Sequence, residues 1–356
     1  MAVAWIGNRD VLVPHAVEHA ATLLGESRCP VITIDADVDA TRAAIALAGR
    51  IGAAYDHLND GLAQETALFT GHGGVFLSPG EALRRADLLL FAGELPESAI
   101  PFLEKLHHSS PDLSGGQART FFSLGANSLP DTFTADTVSL AVEGAGPAGT
   151  VAALRACQSG RRTAVAIENF DRFSSSVAEA RFVAVVCSGH GCDALVLEML
   201  QGLVSELNKV VRASMLLWPA SEAGWSSALI STWTTGFPLR TSYFSGQPSH
   251  DPWRWNAVRM IESGEADLCL QIEAHNRFAK DGPKVIALTK AAQPVDGAAV
   301  TIAIGEPGID HDAVLFSGLT GTFVARSAEA RSTFPPAADI LRAFVEHLPN
   351  DGGVPC

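Results

Sequence analysis

Short apolar runs rich in β-branched residues recur at Val31–Ile34, Asp87–Phe91, Phe182–Cys187, Ser214–Leu217, Asp267–Ile272, Lys284–Leu288 and Val300–Ile304. Their length and lack of alternation predict strands buried on both faces. Helical patterns lie between several of them. Asp39 is expected to cap a helix running through Arg50, with Ala43, Ile45, Ala46 and Leu47 as its apolar body. Asp193 is expected to open another, in which Val196, Met199, Leu200, Leu203 and Leu207 share one face. Buried strands alternating with helices predict a parallel α/β architecture. His107–Gly116 and Glu143–Gly149 have loop compositions, and no internal repeat is visible.

One stretch fits neither period. Pro219–Pro252 is too long and too weakly patterned for ordinary α/β elements, which predicts irregular chain. Five of the six tryptophans, Trp218, Trp225, Trp233, Trp253 and Trp255, fall in or beside it, with Phe237, Tyr243 and Phe244. Aromatic side chains bring large apolar area with few rotatable bonds, so they anchor contacts well. Trp225, Trp233, Phe237, Tyr243, Phe244, Trp253 and Trp255 are therefore candidate interface residues, the alternative being that they fill the chain's own core.

With 356 residues, the chain has room for two domains of roughly 150 residues each. Hydrophobic residues make up 47% and charged residues 18%, enough apolar mass for a large core. A net charge of −14 argues against a partner bound through its phosphate backbone, since such binding needs clustered Lys and Arg. No apolar run approaches the ~18–20 residues of a membrane span. The opening MAVAWIGNRD has neither a basic n-region nor a long h-region, so the chain is expected to be cytoplasmic, with no membrane or nucleic-acid partner.

Candidate chemistry is sparse. In CSGHGC, Cys187, His190 and Cys192 could give zinc three ligands, but the spacing is not that of a standard zinc knuckle, and a strand–glycine turn–helix accounts for it. Asp310, His311 and Asp312 form a DHD triplet that fits either a metal site or a solvated loop. GHGG at Gly71–Gly74 opens no clear βα unit, and His107–His108 is expected to be solvated. There is no GxxxxGK[ST] and no GxSxG, and the GxGxxG match GAGPAG (Gly144–Gly149) falls in the stretch read as loop, after none of the expected strands. The remaining cysteines, Cys29, Cys157, Cys269 and Cys356, are too scattered for an iron–sulfur cluster.

Two tracts carry a resemblance. The first is ATLLGESRCPVITIDADVDATRAAIALAGRIGAAYD (Ala21–Asp56), followed by GEALRRADLLLFAGELP (Gly80–Pro96). The second runs from Leu207 to Ala274 and includes TTGFPLRTSYFSGQP and IESGEADLCLQIEA. Both resemble the B subunit of formylmethanofuran dehydrogenases, in the molybdopterin oxidoreductase superfamily. Catalytic members of that family carry an N-terminal cluster-binding cysteine segment and a cysteine or selenocysteine metal ligand in the stretch matching Asn59–Thr66. Here the first is absent, and NDGLAQET places Gly61 at about the ligand's position. The pattern is more similar to the B subunit of the formyltransferase/hydrolase complex of methylotrophic bacteria.

That resemblance implies two Rossmann-like α/β lobes without the iron–sulfur domain, an outer one of residues 1–56 plus 178–356 and an inserted one of residues 57–177. It implies a non-catalytic structural subunit, with no metal ligand, no molybdenum or tungsten pterin and no iron–sulfur cluster. The complex would convert formyl-tetrahydromethanopterin to formate through formylmethanofuran, in one-carbon oxidation. Its partners would be a formyltransferase subunit, an amidohydrolase-like hydrolase subunit and a further small subunit; the carriers are methanofuran and tetrahydromethanopterin. Two other readings stay open. One is an active oxidoreductase holding a pterin at the Cys187–Cys192 and Glu273–Arg277 turns. The other is a metallohydrolase using Cys187, His190, Cys192, Asp310 or His311.

Overall fold

All seven strands expected from the apolar runs are present, and they divide between two sheets. The structure, a computed structural model, describes residues 3–116, 118–124, 129, 133, 136–273, 282–330 and 332–348. The chain begins with β1 (Ala4–Ile6), β2 (Arg9–Asp10), α1 (Val13–Glu26), β3 (Pro30–Ile34), α2 (Val38–Ile51) and β4 (Ala54–Asp56). A second group follows: α3 (Asp60–Gly71), α4 (Pro79–Arg85), β5 (Leu88–Ala92), α5 (Ile100–His107), β6 (Thr120–Leu124), β7 (Thr137–Leu140), α6 (Pro147–Gln158), α7 (Phe170–Glu179), β8 (Phe182–Cys187), α8 (Ala194–Leu207) and β9 (Arg212–Leu217). The last group is α9 (Glu222–Thr235), β10 (Thr241–Ser242), β11 (Ser249–His250), α10 (Ala257–Glu262), β12 (Leu268–Ile272), β13 (Lys284–Thr289), β14 (Val300–Ala303), β15 (Ala313–Ser317), β16 (Thr322–Arg326) and α11 (Ala337–His347).

Contacts divide these elements into two units. The first holds the described residues up to Leu58, Ala223–Phe316 and those from Phe323; the second holds Asn59–Glu222 and Ser317–Thr322. The return to the first unit falls at Ala223, not at residue 178 as the resemblance implied. The cause is strand pairing: β8 and β9 hydrogen-bond into the second unit's sheet, with Val185 opposite Leu90 on β5 and Met215 opposite Val185.

In the first unit nine strands run in the order β11-β10-β4-β3-β12-β13-β14-β1-β2, and the central five are parallel. Val31 pairs with Cys269 and Ile32 with Leu270. The helix over 38–51 forms as expected, with one correction. Its cap is Asp37, which accepts from Ala40 N at 2.7 Å. Asp39 sits in the first turn, where a negative charge suits the helix dipole, and receives Arg342 Nη2 at 2.7 Å. Asp193 caps α8 as expected, accepting from Val196 N at 2.8 Å.

The expectation of irregular chain over 219–252 fails at α9, which runs for 14 residues. This helix has no apolar stripe because it buries hydroxyls. Thr41 Oγ1 meets Ser227 Oγ at 3.1 Å, and Tyr55 OH meets Ser231 Oγ at 2.8 Å. Buried polar groups are tolerated when hydrogen-bonded, so the helix needs no hydrophobic face to pack.

The second unit's sheet is parallel throughout, in the order β7-β6-β5-β8-β9. Leu90, Phe122, Val185 and Met215 pack on one face under α6 and α8, while Phe91, Phe102, Val186 and Trp218 pack on the other. Burial on both faces explains why these strands are almost wholly apolar. His107, expected in solvent, ends α5 and stacks on Phe121 with ring centroids 6.4 Å apart.

Candidate functional site

Parallel sheets of this kind receive ligands at the carboxyl ends of the strands where the strand order reverses. In the second unit that point lies between β5 and β8, and the chain itself fills it. A Cβ at Gly93 would meet Gly191 O at 2.5 Å, and one at Gly191 would meet Glu94 N at 2.1 Å. Gly61, in the first turn of α3, lies so close to the same turn that its Cβ would meet Gly189 O at 2.6 Å. A side chain at position 61 therefore has no room, and a coordinating thiolate does not fit there.

One helical turn beyond Gly61 stands Glu65, wholly buried. Its Oε1 accepts from Gly189 N at 2.8 Å, Ala220 N at 2.9 Å and Ser188 Oγ at 3.3 Å. Burial pushes its carboxyl group up to about 8, against the lowering effect of those three donors. Sequence reasoning did not single it out. The signal was present: Leu62, Glu65 and Leu68 fall at three-residue steps, and these are the buried residues of α3.

The CSGHGC turn holds no open metal site. Cys187 and Cys192 are buried; burial drives the Cys187 thiol well above its ordinary value and pushes Cys192 up to about 12. Cys192 Sγ donates to Ala92 O at 3.3 Å, and His190 is exposed. In the DHD triplet each carboxylate holds backbone: Asp310 accepts from Glu306 N at 2.7 Å and Asp312 from Ala328 N at 2.8 Å. Among the described residues no group of three or more His, Cys, Asp or Glu is placed to hold a metal ion.

In the first unit the strand order reverses between β3 and β12, and there a crevice of about 220 Å³ remains open. Asp35, Asp37, Glu273, Lys290, Gly305 and Glu306 are among its lining residues. Glu273 has a left-handed backbone with φ 58°, a conformation that costs a non-glycine residue energy and is common at binding sites. Its carboxylate accepts from Lys290 N at 2.5 Å and lies 3.4 Å from Lys290 Nζ. His57 and His311 stand near the two aspartates, Nε2 to Oδ2, at 3.7 Å from Asp35 and 3.5 Å from Asp37. The rest of the expected Glu273–Arg277 turn lies outside the described residues.

The aromatic tract splits into two groups. Trp255 is buried among Val31, Ala54 and Met260, Trp218 is core to the second unit, and Trp225 and Tyr243 are half-buried. Trp233, Phe237, Phe244 and Trp253 are exposed, Trp253 to 72%. The Arg259 guanidinium lies over the Trp253 ring, 4.6 Å from its centroid, which fixes that side chain in an outward pose. Trp233 stands beside Phe323, their centroids 5.3 Å apart.

These features define an α/β protein of two parallel-sheet units, one crevice open and the other closed by its own backbone. No family model matches the chain. It is, however, similar from end to end to the B subunit of the formyltransferase/hydrolase complex Fhc of Methylorubrum extorquens, at 29% identity over 367 aligned positions and 99% of both chains. A chain of the crystal structure of that organism's complex FhcABCD, solved with methylofuran, superposes with a TM-score of 0.86 at 27% identity, covering 96% of this chain and 98% of that one. The resemblance to the B subunit of this complex, met first in the TTGFPLRTSYFSGQP tract, holds along the chain.

Proposed function

We propose that the chain is the B subunit of a formyltransferase/hydrolase complex and that it contributes structure rather than catalysis. The end-to-end match to a chain of FhcABCD carries this reading, because a superposition over 96% of the chain leaves little of it for a different role. The contact between Gly61 and Gly189 supports the non-catalytic part. Catalytic members of the resembled dehydrogenase family are implied to carry a metal ligand at that place, and here a Cβ has no space. In this reading the two units are Rossmann-like lobes of the molybdopterin oxidoreductase superfamily, in a cytoplasmic assembly. A formyltransferase, an amidohydrolase-like hydrolase and a further small subunit are its partners, and the complex takes its formyl group from tetrahydromethanopterin to methanofuran and then to formate.

The exposed half of the aromatic tract, Trp233, Phe237, Phe244 and Trp253, is the proposed contact surface; Trp255 belongs to the core. Exposed aromatic rings suit anchoring positions in an obligate interface, and Trp253 is held outward by the stacked Arg259 guanidinium. Among the described residues no helix is long and apolar enough to cross a membrane.

The test is co-expression with the formyltransferase and hydrolase subunits of the same genome. Co-purification in fixed stoichiometry, together with loss of formate release when the chain is omitted, is expected. Full activity of the assembly without the chain would overturn the reading.

A further inference from the structure

Glu65 is a fully buried carboxyl group whose hydrogen-bond donors are all neutral. We infer that Glu65 is a built-in ligand: its carboxyl group occupies a carboxylic-acid site made by the Gly189 and Ala220 amides and the Ser188 hydroxyl, and that site takes up a free small monocarboxylic acid once the side chain is removed.

The place of the site is the first argument. Ser188 and Gly189 follow directly on β8, and Ala220 follows β9, so two of the second unit's strands deliver their next free donors to one point. The amides of Gly189 and Ala220 converge on a single oxygen at 2.8 and 2.9 Å. Convergent backbone N–H groups at strand ends form concavities that receive acidic groups. Here the acid comes from α3 rather than from solution.

The fit is the second. Gly189 lets the Glu65 chain pass, since a Cβ there would lie 2.8 Å from Glu65 Cγ and 2.1 Å from Gly61 O. Gly61 and Glu65 are one helical turn apart and face the same turn of backbone, so they act as one surface.

The third concerns protonation. Glu65 Oε2 is buried and has no hydrogen-bond partner among the described residues, and a neutral hydroxyl costs far less in that position than an anion. The titratable groups nearest in effect are the Cys187 thiol at the end of β8 and the Cys192 thiol at the end of the turn. Both are raised by burial and further by Glu65, and Cys192 also by Asp193 at the start of α8. None of these is a cation that would favour the carboxylate. His190, on the same turn, is exposed. Burial accordingly raises Glu65 to about 8.

The purified full-length chain tests this. Glu65→Ala removes the equivalent of one acetic acid. Acetate at constant ionic strength should raise the melting temperature of Glu65→Ala in a dose-dependent way, while chloride does not. The wild type and Glu65→Gln should show no acetate-specific shift, because their site is filled. Burial favours the neutral acid, so between the acid's own pKa and about pH 8 the half-maximal acetate concentration should rise with pH, by up to about tenfold per unit. Absence of an acetate-specific shift in Glu65→Ala, or an equal shift in the wild type, would overturn the inference. Should Glu65→Ala fail to fold, Glu65→Gln decides. Relative to it, the wild type should lose stability as pH rises from about 5 to 8, and parallel profiles would overturn the proposal.

Discussion

Asp37 serves two elements at once: Oδ1 caps α2 by accepting from Ala40 N at 2.7 Å, and Oδ2 lies 3.5 Å from His311 Nε2. One carboxylate thereby ties the start of a helix to the loop that follows β14, at the mouth of the open crevice. Asp37→Ala should lower stability by about 1–2 kcal/mol, the usual cost of a lost N-cap. Asp37→Ser should recover most of the cap while leaving His311 without its carboxylate. Chemical denaturation of both variants separates the two roles. Equal losses would mean that the cap contributes nothing.

Asp56 gives the clearest pH signature of the first unit. Burial raises it from 3.8 to about 6, against the lowering influence of Arg240 and of the Ala257 and His57 amides. The native state therefore holds a proton that the unfolded chain has already released. Its contribution is fully present below about pH 4 and is lost as pH rises through 6. Every tenfold change in proton affinity is worth about 1.4 kcal/mol, so the stability lost across this window amounts to a few kcal/mol. Asp56→Asn should flatten the stability profile over that window. It should also cost about 1–3 kcal/mol, because an amide offers one acceptor where two buried N–H groups need one each. An unchanged slope between pH 4 and 6 would remove Asp56 from the account.

Adding one carbon at Gly61 should be costly. The contact of 2.6 Å with Gly189 O is with backbone, which cannot swing aside as a side chain can. Gly61→Ala is expected to destabilise by about 1–3 kcal/mol, the range for overpacking. Gly71, in the last turn of the same helix, faces open space. Gly71→Ala should be neutral or slightly stabilising, since Ala favours a helix over Gly by up to ~1 kcal/mol. Gly61→Cys should behave like Gly61→Ala in thermal melts. Tight uptake of molybdate or tungstate by Gly61→Cys would contradict the closed crevice.

Trp253 and Trp255 should separate cleanly. Trp255→Ala empties a core position and should cost about 3–5 kcal/mol in the isolated chain. Trp253→Ala removes an exposed ring and should change the melting temperature little, yet weaken assembly with the partner subunits. Pull-down titrations beside thermal melts read both. A Trp253→Ala chain that assembles with full affinity would take this surface out of the proposed interface.

The apolar runs revealed seven strands because strands buried on both faces leave a continuous hydrophobic signature. β4, with only Ala54, Tyr55 and Asp56, leaves too short a run to register, and its place is set by pairing with β3. α9 was invisible for the opposite reason: Ser226, Ser227 and Ser231 are buried where the pattern calls for apolar residues. The unit boundary was missed because β8 and β9 look like any other buried strands. Which sheet accepts them depends on register, and no local pattern encodes it. At the closed crevice, Gly61 was reached through resemblance, whereas Gly189 and Gly191 read only as a turn. Their close approach to α3 and to Glu94 is tertiary, and so is the convergence of donors on Glu65.

The pairing of Val31 with Cys269 has a consequence for biosynthesis. The second unit is drawn mainly from one continuous stretch, so its sheet can close as soon as β9 leaves the ribosome. The first unit cannot: β3 must wait for β12, with the whole second unit emerging in between. Pairings between distant segments are slow to form and leave strand edges exposed meanwhile. During synthesis β3, with its unpaired backbone edge and its apolar side chains, is thus a nascent surface in need of protection. Truncated chains ending before Leu268 should engage chaperones through the N-terminal segment even though their second unit is folded.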